Sequence, residues 1–266
     1  MTNNPMRNTP KRADYTRRSN PAETVKDGWI WGRHAVLAAV QNKRRKSISL
    51  HVTRNGAREL PEGVEAEVCE PRVIDHLLPD GAVHQGFAMH AEPLAPEPIA
   101  GVTDPTHGAL LVLDQITDPH NVGAVLRSAN AFGVRAIIMQ DRKAPPLFGT
   151  VCKSAVGAAE RVAHVRVTNI ANTLDDLRKA GRTVLGLAGE ADIDLGDALA
   201  GPDGKGLGPG VVLVLGSEDK GLRPRVAEYC DALVRIPISD AVESLNVSNA
   251  AAIALYELAK WRPTRG

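Results

Sequence analysis

Cysteine and aromatic residues are scarce in this 266-residue chain, which has three Cys and three each of Trp, Tyr and Phe. Cys69, Cys152 and Cys230 are odd in number and far apart, so neither a disulfide framework nor a zinc motif is visible, and a reducing, cytoplasmic setting is expected. So few aromatics argue against a base-stacking platform of the kind used on single-stranded RNA. Long apolar runs are missing too: none approaches the roughly 18 residues of a membrane span. The polar start MTNNPMRNTPKRADYTRRSNP lacks the apolar segment of a secretory signal. Hydrophobic content of 43% nevertheless excludes wholesale disorder, and the length suffices for one large or two ordinary domains.

A net charge of +1 conceals an uneven distribution. Residues 1–58 hold 13 Lys/Arg against Asp14, Glu23 and Asp27, a net +10, and the remainder holds 19 against 28, a net −9. A basic front of this kind suggests a polyanionic partner. Its charges include Arg33, beside His34, and the run Lys43, Arg44, Arg45 and Lys46. That run also reads as a favourable basic end to a short helix.

Patterning divides the chain. Residues 1–27 read as a flexible basic tail. A small first domain is placed at 28–91, with a short helix after Gly32 and a half-buried strand over 47–52. A Pro-rich linker spans 92–107. From 108 to 266, strand-like runs at 109–113, 136–139, 161–167, 183–187, 211–215 and 232–236 alternate with helical stretches near 121–132, 150–159, 171–180, 223–230 and 247–261. Short apolar strands separated by helices predict an α/β domain with a parallel sheet covered on both faces. The glycine-rich 201–210 has neither nucleotide-loop spacing nor a helix directly behind it, and reads as a connection.

Ligands in such sheets collect beyond the carboxyl ends of strands, and three such ends here are polar. In Asp118-Pro119-His120-Asn121-Val122-Gly123, Asn121 suits a helix cap, and Arg127 follows two turns on, where it could equally snorkel to the surface. In Leu215-Gly216-Ser217-Glu218, the glycine permits a tight turn or close approach to a ligand, and Glu218 either orients a cation or lies on a solvated turn. After Ile236-Pro237-Ile238, Ser244 or Asn246 can cap a last, Ala-rich helix.

In this order, N-x-G-A-x-x-R-S-A, L-V-L-G-S-E-x-x-G-L and I-P-I-x(5)-S-L-N-V-S-x-A resemble the three signature motifs of the SpoU (TrmH) family of RNA ribose 2′-O-methyltransferases. The match spans about 108–263. The opening W-I-W-G-R-H-A-V-L-A-A-V is similar to the substrate-binding domain of bacterial members that methylate guanosine in large-subunit ribosomal RNA.

The resemblance implies a SPOUT-type α/β fold with a C-terminal trefoil knot, a homodimer, and S-adenosylmethionine (AdoMet) as methyl donor. It places the cofactor on Leu215, Gly216, Ser217, Ile236, Ile238, Leu245 and Asn246, and catalysis on Arg127, with Asn121, Glu218, Ser244 and Asn246 around it. RNA contacts are expected at Arg33, His34, Lys43, Arg44, Arg45 and Lys46. A neutral thioether leaving group demands no metal. A guanidinium is an unusual base, so Arg127 serves either as a depressed-pKa base or as a stabiliser of alkoxide or phosphate. Methylation of a transfer-RNA ribose, and a catalytically silent RNA-binding assembly factor, remain alternatives.

Overall fold

In the computed structural model, residues 28–239 and 241–261 are described; the tail expected over 1–27 lies outside them. The front of the chain forms β1 (Trp29–Trp31), α1 (Arg33–Gln41), β2 (Ser47–Val52), α2 (Arg54–Ala57), β3 (Glu67–Val68), α3 (Pro71–Leu77) and β4 (Phe87–Ala91). Its four strands pair in the order β1-β4-β2-β3, with β4 antiparallel to both neighbours and β3 parallel to β2. Side chains alternate across a strand. Ile30 therefore enters the main core, while Trp29 and Trp31 pack with Ile74, Leu78 and Ala88 on the opposite face.

The second sheet is built from β5 (Leu110–Leu113), α4 (Pro119–Ala131), β6 (Ala136–Gln140), α5 (Gly149–Ala155), β7 (Ala163–Val167), α6 (Ile170–Lys179), β8 (Thr183–Leu187), β9 (Ile193–Asp194), α7 (Leu195–Ala200), β10 (Val211–Leu215), α8 (Pro224–Ala227), β11 (Ala232–Arg235) and α9 (Val247–Lys260). All seven strands are parallel, in the order β7-β6-β5-β10-β8-β11-β9. Both faces are buried, which is why β5 and β10 are apolar throughout. Leu111, Leu113, Leu213 and Leu215 join a core with α4, α5 and α9, and Leu110, Val112, Val212 and Val214 join one with α6. Strand order reverses between β5 and β10, where open parallel sheets form a crevice. β9 and α7 were not expected from the sequence. No helix among the described residues is long and apolar enough to cross a membrane.

The two sheets share their main core, which contains Ile30, Val36, Leu50 and Phe87 together with Leu111, Val151 and Leu213. The Arg45 and Glu160 side chains are 0% and 3% exposed and pair at 2.5 Å. Arg45 also donates to the Glu92 carbonyl at 3.2 Å, and Asn42 donates to Glu160 at 2.7 Å. This corrects the expectation that Arg45 contacts RNA: its charge is consumed inside the protein, across the seam between the sheets. The segment before β5 is fastened by the guanidinium of the buried Arg182, which donates to the carbonyls of Val102, Thr103, Asp104 and Gly108.

Candidate active site

A cavity of about 390 Å³ opens beyond the carboxyl ends of β8, β10 and β11. Leu215, Gly216, Ser217, Ile236, Ile238 and Leu245, all expected to hold a cofactor, line it, as do Glu218 and Ser244. Chain segments 187–190, 215–222, 236–238 and 243–250 supply most of its wall.

The turn after β10 is held by its own backbone. Ser217 N donates to the Gly221 carbonyl at 3.1 Å and Gly221 N to the Ser217 carbonyl at 2.9 Å. A Cβ on Gly216 would stand 2.1 Å from the Gly221 carbonyl carbon, so only glycine fits. Gly216 thus serves the tight turn, one of the two uses its position allows. Asp114, fully buried at the end of β5, pairs with Arg223 Nη2 at 2.6 Å and accepts from Arg223 Nε at 2.8 Å, clamping the far end of the turn. Neither residue was singled out from sequence, although an Asp closing the apolar run Leu110–Leu113 was a usable signal.

Glu218 joins the three polar loops. Its Oε1 accepts from Asn121 Nδ2 at 2.9 Å, from Asn246 Nδ2 at 2.6 Å and from the Val247 amide at 3.1 Å. Asn246 Nδ2 also reaches Asn121 Oδ1 at 3.1 Å. Asn246 caps α9, accepting from the Ser248 amide at 2.9 Å, so it serves helix and cluster together and lies beside the cavity wall, outside its lining. Asn121 is not the cap of α4. Asp118 accepts from the His120 amide and takes that place, with Pro119 at the first helical position. Asn121 is thereby freed to turn its side chain to Glu218.

Arg127 stands apart from this cluster. It is exposed on α4 and makes no hydrogen bond or ion pair among the described residues. Ser154 on α5 lies 3.4 Å from His120 Nδ1, and Lys153 donates to Gln85 Oε1 at 2.8 Å, with burial holding the lysine pKa below its usual range.

Of the basic residues assigned to RNA, Arg33 pairs with Glu59, Arg44 with Glu97 at 3.3 Å and Lys46 with Glu92 at 3.3 Å, while His34 and Lys43 are exposed. The cysteine thiols are quiet. Burial pushes Cys152 and Cys230 up to about 12, and no described group of three or more His, Cys, Asp or Glu could hold a metal ion.

The SpoU rRNA methylase family profile matches residues 108–256, and a profile for RNA 2′-O ribose methyltransferase substrate binding matches residues 29–97. The chain belongs to the SpoU rRNA methylase family. Among its SpoU relatives, the 23S rRNA (guanosine-2′-O-)-methyltransferase RlmB of Escherichia coli K12 is 38% identical over 249 residues, spanning 88% of this chain and 98% of that protein. The fold is shared with the SpoU methyltransferase AviRb from Streptomyces viridochromogenes in complex with AdoMet (TM-score 0.71, 24% identity, 87% of this chain and 89% of that one). It is also shared with an AdoMet-bound rRNA methyltransferase from Sinorhizobium meliloti (TM-score 0.72, 24% identity, 90% and 88%).

Proposed function

We propose that this SpoU protein methylates the ribose 2′-hydroxyl of a guanosine in large-subunit ribosomal RNA, using AdoMet. The observation that carries this reading is the Asn121–Glu218–Asn246 cluster, which draws one residue from each motif to the rim of the cavity. The transfer-RNA alternative is less favoured, because the relative that spans nearly this whole chain acts on 23S rRNA.

The cavity fits the cofactor in size and charge. Its volume lies in the range of small-molecule sites. Leu187, Leu222, Ile236 and Leu245 offer apolar walls for an adenine, and Glu190, Glu218 and Glu243 offer negative charge to a molecule carrying a sulfonium and an ammonium. When bound, AdoMet supplies a methyl group already activated on sulfur.

The chain's own residues supply placement. Glu218 orients the amides of Asn121 and Asn246, and preset hydrogen-bonding groups of this kind fix a reacting hydroxyl at little cost in entropy. Ser244, on the cavity lining, presents a further hydroxyl. Arg127, exposed and uncommitted, offers its fork to the developing alkoxide or its neighbouring phosphate. The knotted path and the homodimer belong to the same reading. The strand order, in which β10 returns between β5 and β8, supports the first. An exposed apolar strip of Ile253 and Tyr256, with Phe132 edge-on to Tyr256 at 6.2 Å, supports the second.

The test is tritiated methyl transfer from AdoMet to bulk rRNA and to tRNA, followed by mapping of 2′-O-methyl sites in RNA from a deletion strain. Incorporation into rRNA with one site lost in the deletion strain is expected. Incorporation into tRNA alone overturns the substrate, and none into either favours a silent assembly factor.

A further inference from the structure

A second cleft, of about 230 Å³, lies at the seam of the two sheets and shares no lining residue with the larger cavity. Trp29, Trp31, Pro119, Pro146, Phe148 and Thr150 are among its walls. Two of the three tryptophans and one of the three phenylalanines of the chain therefore meet at one place. Trp29 and Trp31 are 5% and 8% exposed, with Trp29 stacked on His90, whereas Phe148 is half-buried and Pro146 exposed. Gly149, at φ +47°, makes room for the indole: a Cβ there would be 2.8 Å from Trp31 Cη2.

A lysine and the candidate active site lie close to this cleft along the chain. Pro119 is two residues before Asn121 of the catalytic cluster, so the cleft adjoins the candidate active site along the chain. Lys153 lies one helical turn beyond Thr150 on α5, and Arg33 opens α1 one residue after β1. Gln85 ties these two together, accepting from Lys153 Nζ at 2.8 Å and from the Arg33 amide at 3.3 Å. Apolar Trp, Phe and Pro walls beside a lysine match the two chemistries of an unstacked nucleotide, whose base is apolar on its faces and whose phosphates are anionic.

We infer that this cleft seats one unpaired base of the RNA substrate, with Lys153 facing its flanking phosphate. The inference rests on the RNA-methyltransferase reading above. It adds that the substrate is single-stranded next to the methylated ribose, because a base within a duplex cannot enter.

Two measurements on the full chain test it. A mixed-sequence single-stranded hexaribonucleotide is expected to quench tryptophan emission, and its abasic counterpart of equal length to leave it unchanged. Equal quenching by both, or none by either, overturns the seat. Thr150→Met fills the cleft without touching the lining of the larger cavity. Its KM for an rRNA transcript is expected to rise roughly tenfold, the scale of one lost stacking contact, while the AdoMet Kd is unchanged. A wild-type KM in that variant overturns the proposal. Should the variant lose AdoMet as well, the quenching comparison on the unaltered protein decides. Base-dependent quenching in a protein that methylates no rRNA would sink the proposed function and leave the seat standing.

Discussion

Asn246 donates to Glu218 at 2.6 Å, closing a contact between the start of the last helix and the turn after β10. One carboxylate oxygen thereby holds two side-chain amides and a backbone amide, so it fixes the relative placement of three loops.

Glu218→Ala is expected to lower methyl transfer at least tenfold. Glu218→Gln, which retains an acceptor oxygen, should recover part of that loss. Hydrogen bonds to a charged acceptor are worth about 1.5–3 kcal/mol each when sheltered, and less at this exposed site. Methyl transfer measured at saturating AdoMet checks this, and wild-type rates in the Ala variant would refute the positioning role.

Arg127→Ala should abolish transfer yet leave thermal stability and AdoMet affinity nearly unchanged. Exposed residues without partners contribute within about 0.5 kcal/mol to folding, and Arg127 has no described partner to lose. A thermal melt alongside the transfer assay separates the two effects; a large drop in melting temperature would mean that Arg127 is structural.

Breaking the buried Arg45–Glu160 pair on one side should destabilise strongly. Arg45→Met leaves Glu160 as an uncompensated buried charge, at a cost of about 3–5 kcal/mol. The double variant Arg45→Met, Glu160→Leu should recover much of this. Urea unfolding of wild type, both single variants and the double variant closes the cycle, and simple additivity of the single losses would contradict the coupling.

His164 gives the stability a slope with pH. Burial, then the charges of Arg166, Arg44 and Arg45, push its pKa down to about 4, with Glu97 acting in the opposite direction. The native imidazole therefore stays neutral while the unfolded one, near 6.5, takes up a proton. Stability falls as pH drops from about 6.5 to 4, by roughly 2–3 kcal/mol at pH 4.5. His164→Gln should remove that part of the slope in urea midpoints measured at pH 7 and pH 4.5. An identical slope in both proteins would show that other groups carry it.

Much of the sheet could be read from the sequence because its strands are buried on both faces and appear as apolar runs. β8 and β10 fall where those runs lie, and β11 ends one residue sooner. β9 and α7 escaped notice because Ile193–Asp194 is two residues long and Leu195–Ala200 barely exceeds one turn. The cap of α4 is Asp118 and not Asn121, and its signal in the sequence is the Asp118-Pro119 pair. Arg45 looked like its neighbours in a basic run because its partner, Glu160, lies 115 residues away. Likewise, aromatic scarcity argued against base stacking only as a bulk count; the convergence of Trp29, Trp31 and Phe148 depends on the seam between two sheets.

The larger cavity is walled by residues after 186, the last of them within 243–250. Parts of a protein made first can fold first during synthesis. A nascent chain could thus complete its four-stranded sheet and pack it against β5, α4 and α5 while still having no place for a cofactor. The place for the cofactor is then completed only once the segment 243–250 has been made, after the front of the chain already has its core.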